Sequence, residues 1–359
     1  VKIQSTAVGL LKSSLLRPFK TALRTVTELE EITVRLTADN GMYGWGSVVP
    51  TGAITGDTEE RIRSDLGTLL NELEQIDVVD VWKWQSSVPS ASHVCPSALC
   101  AVDVALHDLA ARMSQQPLWK WLGGIYSIRM TSNMTISVDT PEKMAEWARE
   151  AVEAGFKSLK VKVGLDAELD KKRVRAIRDA IGSRIALRLD ANQGWTEKEA
   201  LQLIPWFVNH CAPIDFIEQP VKAWDLGAMV AITQDCPVPI VADESAMTFA
   251  QAQTVLEHGA ASALSVKLIK AGGVNEARRI LDLAFEWRVP CLMSCMFEVG
   301  AGLQAAAHLA SMHPSVHWVD LDPAQFLTTL PYHSSIEFNG PRIEVGDGPG
   351  LDIDLNSTL

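Results

Sequence analysis

Two different rhythms of apolar and polar positions divide this chain. From Met130 onward, short apolar runs recur at about 130–138, 159–163, 186–190, 216–218, 240–242, 263–267, 291–294 and 317–320. Each has the length of a buried strand, and the stretches between them carry helical spacing. Thr140-Pro141-Glu142 and Thr196-Glu197 have the composition of helix starts, where proline is tolerated in the first turn. Strands alternating with helices predict βα units and a parallel sheet. Eight strands in roughly 190 residues is tight for a complete (β/α)8 barrel. The predicted fold is therefore α/β, a modified TIM barrel of the form (β/α)7β that lacks its last helix.

Residues 1–125 follow another pattern. Glu31 to Leu36 alternates as a half-buried strand does, and Asp39-Asn40-Gly41 is a hairpin turn before Tyr43-Gly44-Trp45. Thr58 to Leu73 and Pro96 to Met113 read as amphipathic helices. This predicts an α+β domain that ends at Gly123-Gly124. The barrel is then expected over 126–322. A short, turn-rich tail over 323–359 is expected to return to the first domain.

Composition narrows the function classes. The 359 residues are 47% hydrophobic and 21% charged, as in an ordinary well-cored protein, and carry a net charge of −12. That charge argues against nucleic acid or an anionic membrane as partner. No apolar stretch has membrane-spanning length, and the first residues have no signal-peptide pattern. The six cysteines form no CxxC pair, which fits reduced thiols in a cytoplasmic protein. A homo-oligomer stays open.

Candidate chemistry lies at the ends of the apolar runs. Lys162, Asp190, Glu218, Asp243 and Lys267 stand there at intervals of 28, 28, 25 and 24 residues. A parallel βα barrel gathers the carboxyl ends of its strands at one mouth, so these five side chains converge there. Asp190, Glu218 and Asp243 become candidate ligands of Mg²⁺, a hard cation that takes oxygen donors and keeps positions for substrate. Lys160 and Lys162 are two apart on one strand and face the same way. Their mutual repulsion, about 3 kcal/mol at about 6 Å and an effective dielectric near 20, is expected to pull the Lys162 pKa down. Lys267 lies four strands further on. Two lysines on opposite faces of one carbon, with a cation on the adjacent carboxylate, suit removal of an α-proton and its return to the other face.

These motifs resemble the enolase superfamily, muconate-lactonizing-enzyme subgroup. They are Lys160-Val161-Lys162, Leu189-Asp190-Ala191-Asn192-Gln193-Gly194-Trp195, Ile217-Glu218-Gln219-Pro220, Ala242-Asp243-Glu244-Ser245 and Lys267-Leu268-Ile269-Lys270-Ala271-Gly272-Gly273. (The use of Lys bases with Mg²⁺ in enolase-superfamily sites is itself a known pattern.) The resemblance implies Lys162 and Lys267 as the catalytic bases. It places Lys160 among the catalytic and the substrate-binding groups, and makes the α+β domain a cap on the barrel. Asp320-Leu321-Asp322 resembles the Asp-x-Asp of dipeptide epimerases, which receives the α-ammonium of a dipeptide substrate. Pro18 to Val26 resembles a capping loop in which Arg24 meets the side-chain carboxylate of a C-terminal Glu, a pairing that Arg geometry favours. Pro50 to Gly56 resembles the second capping loop, so specificity loops are expected near 15–26 and 50–57. Met293-Ser294-Cys295-Met296 departs from the pattern, in which Gly-Ser or Gly-Cys more often precedes Met. If Ser294 lines the pocket, its bulk alters the preferred dipeptide.

The leading expectation is a Mg²⁺-dependent dipeptide epimerase, with L-Ala-D/L-Glu from cell-wall peptide as substrate. A cycloisomerase or o-succinylbenzoate synthase of the same subgroup is the nearest alternative. The Asp320/Asp322 pair argues against it, because aromatic diacids bring no ammonium. A Schiff-base barrel aldolase needs one lysine and no three-acid cage. A non-catalytic binding protein has no use for two intact bases.

Overall fold

The computed structural model describes residues 2–21, 24–74, 80–125, 129–328 and 330–359. The predicted boundary at 125–126 and part of the loop near 15–26 touch residues outside that set.

Eight parallel strands form the central sheet, in chain order: Met134–Ile136, Ser158–Lys162, Ala186–Asp190, Ile214–Glu218, Ile240–Ala242, Ala263–Val266, Cys291–Ser294 and Val316–Asp320. We refer to them as barrel strands 1 to 8. A parallel bridge between Ser132 and Val319, with Asn133 N donating to Val319 O at 3.2 Å, joins the first to the eighth. Seven crossover helices follow strands 1 to 7, from Pro141–Glu153 to Ala301–Met312. After strand 8 the chain enters the 3-10 turn Pro323–Phe326 and the short strands of the tail, with no further α-helix among the described residues. The architecture is the (β/α)7β barrel that the strand spacing predicts.

Side-chain alternation explains how the strands are filled. Leu159, Val161, Leu187, Leu189 and Ile217 are buried in the main core, on the face turned to the helices. The opposite face looks into the barrel. At one level it carries a separate apolar plug of Phe216, Val241, Ala263 and Leu292, with Trp318 packed against it. Two residues further along the same strands, on the same side, stand Glu218, Asp243, Ser265, Ser294 and Asp320. An apolar floor thus lies beneath a polar layer, in keeping with the layered interior of such barrels.

The first domain is a three-stranded antiparallel sheet, Ile3–Lys20, Thr25–Ala38 and Tyr43–Val48, backed by the helices Glu59–Leu73 and Pro96–Met113. The close approach of the third strand to the second helix demands glycine: a Cβ on Gly46 would lie 1.8 Å from Ala101 O. The C-terminal tail reaches this domain. Leu351 N donates to Asp108 Oδ1 at 2.7 Å, Arg112 Nη2 to Ile353 O at 2.9 Å and Arg35 Nη1 to Asn356 Oδ1 at 2.8 Å.

One carboxylate ties the cap to the barrel. Glu31, fully buried on the second strand of the cap, accepts from Val299 N at 2.7 Å and from Gly300 N at 2.7 and 3.0 Å. These donors open the helix Ala301–Met312, where the backbone has unpaired N–H groups and a favourable dipole. Glu31→Ala should leave two buried donors without acceptors, at about 1–3 kcal/mol each. The expected result is a loss of about 2–6 kcal/mol in stability, read from the urea unfolding midpoint. An unchanged midpoint would mean that the cap does not depend on this contact.

Candidate active site

The ends of strands 2, 3 and 4 set three functional side chains in a row. Lys162 is the register neighbour of Asp190, and Asp190 of Glu218. Glu218 pairs with Val241, so Asp243 stands two residues further on the same side. All are buried, as are Lys160, Lys267, Asp320 and Asp322. The backbone after the acids is unusual. Asn192, Gln193 and Gln219 have φ of 42°, 68° and 36°, in the left-handed region that non-glycine residues rarely enter. Such conformations persist where the surroundings over-determine them. Gln219 supplies part of that determination, because its Oε1 accepts from both Asp243 N and Ser245 N at 3.0 Å.

Lysine ammonium groups interleave with the acids. Lys160 Nζ lies 3.1 Å from Asp190, 2.7 Å from Glu218 and 2.8 Å from Asp320. Lys162 Nζ donates to Asp190 Oδ2 at 2.6 Å. Lys267 Nζ donates to Asp243 Oδ2 at 2.7 Å, and Lys270 Nζ to Asp243 Oδ1 at 2.5 Å and to Asp243 O at 2.8 Å. Acids lie beside both lysines, so the Lys160–Lys162 repulsion expected from spacing does not act alone. Burial pulls the Lys160 pKa down, but Asp320, Glu218 and Asp190 outweigh it and hold that ammonium well above its ordinary range. Burial likewise opposes the charge on Lys267, and Asp243 overrides it, raising that pKa.

The acids respond in kind. Burial works against ionisation of Asp243, yet Lys267 and Lys270 hold its carboxyl far below the usual range. Glu218 goes the other way: burial and the neighbouring Asp190 push it up to about 7. Lys160 lies close to Glu218, but off the hydrogen-bond direction, and neither Glu218 oxygen has an aimed donor.

That orphaned carboxylate tests the fit to a divalent cation. Asp190, Glu218, Asp243, Glu244, Asp320 and Asp322 are six buried acids, and Lys160, Lys162, Lys267 and Lys270 are four buried ammonium groups. Fully ionised, they leave a formal charge of two minus, which a divalent cation balances. Oxygen-only donors suit Mg²⁺. Among the described residues no three such side chains close into a metal cage by themselves, because Lys160 stands between Asp190 and Glu218. The donor set fits; the lysines share it.

The cavity at the mouth is lined by Lys160, Lys162 and Lys267, by Asp320 and Asp322, and by Asn192 and Thr135. From the cap come Phe19, Thr21, Arg24 and Ile54, so both predicted loop regions reach it. Ala22 and Leu23 of the first loop lie outside the described residues. Arg24 Nη2 donates to Met296 O at 2.9 Å, and its buried Nε has no acceptor. Burial lowers its pKa, partly offset by Glu298.

The two aspartates of strand 8 are not equivalent. Asp320 accepts from Asn133 Nδ2 at 2.6 Å, Lys160 Nζ at 2.8 Å and Ser294 Oγ at 2.8 Å. Burial opposes its charge, but Lys160 keeps it ionised. Asp322 accepts from Thr135 N at 2.5 Å, and burial with the neighbouring Asp320 pushes it up to about 7. Ser294 itself is buried away from the cavity, whose wall continues with Cys295, Met296 and Phe297. Its hydroxyl holds Asp320 and adds no bulk to the pocket. Sequence reasoning passed over Asn133, Thr135, Gln219, Glu244 and the anchoring role of Lys270. Gln219, Glu244 and Lys270 had a local signal, since each stands in a motif alongside a candidate site residue.

Mg²⁺ added to chelator-treated protein should raise its thermal midpoint, since a ligand at about 100 times its Kd stabilises by about 2.7 kcal/mol. Glu218→Gln should abolish most of that rise. A midpoint indifferent to Mg²⁺ in the intact chain would count against these acids as a cation site.

Comparison with known proteins agrees with this geometry. Residues 5–123 match the mandelate racemase / muconate lactonizing enzyme N-terminal domain, and residues 143–359 the enolase C-terminal domain-like family. The chain is 35% identical to the L-Ala-D/L-Glu epimerase of Clostridium acetobutylicum, over 98% of each chain. A substrate-liganded L-Ala-D/L-Glu epimerase structure from Bacillus subtilis superposes with a TM-score of 0.95 at 37% identity, covering 98% of this chain and 99% of that one. The dipeptide epimerase of Enterococcus faecalis, solved with Mg and L-Leu-L-Tyr, gives a TM-score of 0.92 at 33% identity, over 99% of this chain and 100% of that one. This chain belongs to the mandelate racemase/muconate lactonizing enzyme family of the enolase superfamily, and is an isomerase of the epimerase kind.

Proposed function

We propose that the chain epimerises a dipeptide at the α-carbon of its C-terminal residue, with Mg²⁺ as cofactor and L-Ala-D/L-Glu as substrate. The observation that carries this reading is one cavity containing Lys162 and Lys267, from strands 2 and 6, together with Asp320, Asp322 and Arg24. Similarity to L-Ala-D/L-Glu epimerases supports the choice of substrate. Relatives solved with Mg and dipeptides support the cofactor. A cytoplasmic enzyme acting on Ala-Glu from cell-wall peptide is in keeping with six free cysteines.

The steps follow from the side chains. Asp322, with Asp320 beside it, receives the α-ammonium of the N-terminal residue. Arg24 offers its unpaired Nε to the side-chain carboxylate of the C-terminal Glu. A divalent cation on Asp190, Glu218 and Asp243 would stabilise charge on the substrate carboxylate and draw acid charge away from Lys162 and Lys267. One lysine, as the free amine, takes the α-proton, and the C–H electron pair moves into the carboxylate to form an enediolate. The opposite lysine, as the ammonium, returns a proton to the other face. The proton count is unchanged, and the reverse reaction exchanges the two roles.

Lys162→Ala and Lys267→Ala should each stop epimerisation, while each variant still exchanges the α-proton of one epimer with D₂O. Deuterium uptake measured separately for L-Ala-L-Glu and L-Ala-D-Glu tests this. Normal epimerisation in both variants would end the two-base mechanism.

A pH dependence follows from Asp322. Its carboxyl, pushed up to about 7, is neutral below that pH and ionised above it. An ammonium is received by the ionised form, so kcat/KM should climb with rising pH through about 7. Asp322→Asn should remove this limb and lower the plateau. A profile of unchanged shape in that variant would show that Asp322 does not titrate into the active form.

A further inference from the structure

Arg24 does not reach the cavity unaided. Its guanidinium is held by the Met296 carbonyl at 2.9 Å, and the Met296 N–H donates in turn to Glu298 Oε2 at 2.6 Å. Glu298 is buried, so its carboxylate fixes the turn after strand 7 from within. The next residue of that turn, Phe297, has φ of 78°, a conformation that a bulky L side chain adopts only under constraint.

The constraint is aromatic. The ring of Phe297 stacks on Phe19 at 4.2 Å between centroids and meets Phe326 edge-on at 5.1 Å. Phe19 and Phe326 are 5.4 Å apart at 88°. One ring comes from the end of the first cap strand, one from the turn after strand 7 and one from the turn after strand 8. The same cap segment is pinned nearby: Lys20 N donates to Ser137 Oγ at 3.1 Å, and Val138 N to Lys20 O at 3.1 Å. The cluster therefore joins cap and barrel at the point where the chain turns toward Arg24.

We propose that Phe326, through Phe297, Phe19 and the Met296 carbonyl, is a positioning residue that sets the preference for an acidic C-terminal residue by fixing where Arg24 stands. The proposal rests on the reading that Arg24 meets the side-chain carboxylate of the substrate. Phe326 does not line the cavity, so it acts through its neighbours. It also lies four residues after Asp322, but any disturbance of Asp322 affects every dipeptide alike and cancels in a comparison of two substrates.

The test compares kcat/KM for L-Ala-L-Glu with kcat/KM for L-Ala-L-Leu in the Mg²⁺-supplied full chain. Phe326→Ala should lower the Glu/Leu ratio about tenfold, since a misplacement near 1 Å costs up to about a hundredfold. Arg24→Ala should lower it at least as far. Phe326→Ala added to Arg24→Ala should lower it no further. If Phe326→Ala does not fold, Phe326→Leu serves instead, because it removes the ring contacts with Phe19 and Phe297 while keeping an apolar side chain off the cavity wall. A ratio unchanged in the phenylalanine variant, or lowered again in the double variant, overturns the proposal while the role of Arg24 stands. A ratio unchanged in Arg24→Ala overturns both.

Discussion

A layer of buried charge at the mouth of the barrel governs the rest of this structure. Each carboxylate or ammonium there has lost its water, a penalty of several kcal/mol per ion that only close partners offset. Lys160 is the centre of the arrangement, within 3.1 Å of acids from strands 3, 4 and 8. The apolar plug of Phe216, Val241, Ala263 and Leu292 lies under this layer and keeps its electric fields strong. Six acids against four ammonium groups leave the layer short of positive charge, and the shortage is concentrated at Glu218, whose oxygens lack an aimed donor. The charge states of these acids and lysines are therefore set together, by one electrostatic balance.

The cap completes that balance from outside. Glu31 fastens it to the start of the helix Ala301–Met312. Arg24 enters the cavity on the carbonyl of a turn that also carries a strained phenylalanine. The cavity thus draws its walls from two different supports, the barrel and the cap. The lysines and acids lie on barrel strands or within a few residues of their carboxyl ends, so the sheet fixes their positions. The cap residues that line the cavity lie on loops and beside packed rings, which can vary without disturbing the barrel.

Part of this could be read directly along the chain. A polar residue ending an apolar run at strand spacing has one physical meaning in a barrel, because alternation sends it inward and parallel topology brings all such ends together. For that reason Lys162, Asp190, Glu218, Asp243 and Lys267 were legible from spacing. The missing last helix was legible from length. Asp320 and Asp322 needed resemblance as well, since two acids at a strand end look the same whether they face solvent or a ligand.

The remaining features depended on distances between residues far apart in sequence. Two lysines two positions apart must repel when considered alone, and spacing carries no hint that Asp320, 160 residues away, ends 2.8 Å from Lys160. Ser294 looks like added bulk until its hydroxyl is found on Asp320. Phe19, Phe297 and Phe326 are three unremarkable aromatics until the turns of cap and barrel bring them together. Sequence alone determined which residue types face the mouth, because side-chain direction follows from local backbone period. Tertiary structure decided which of them neutralise one another, because Coulomb and hydrogen-bond energies depend on ångström distances that no local pattern encodes.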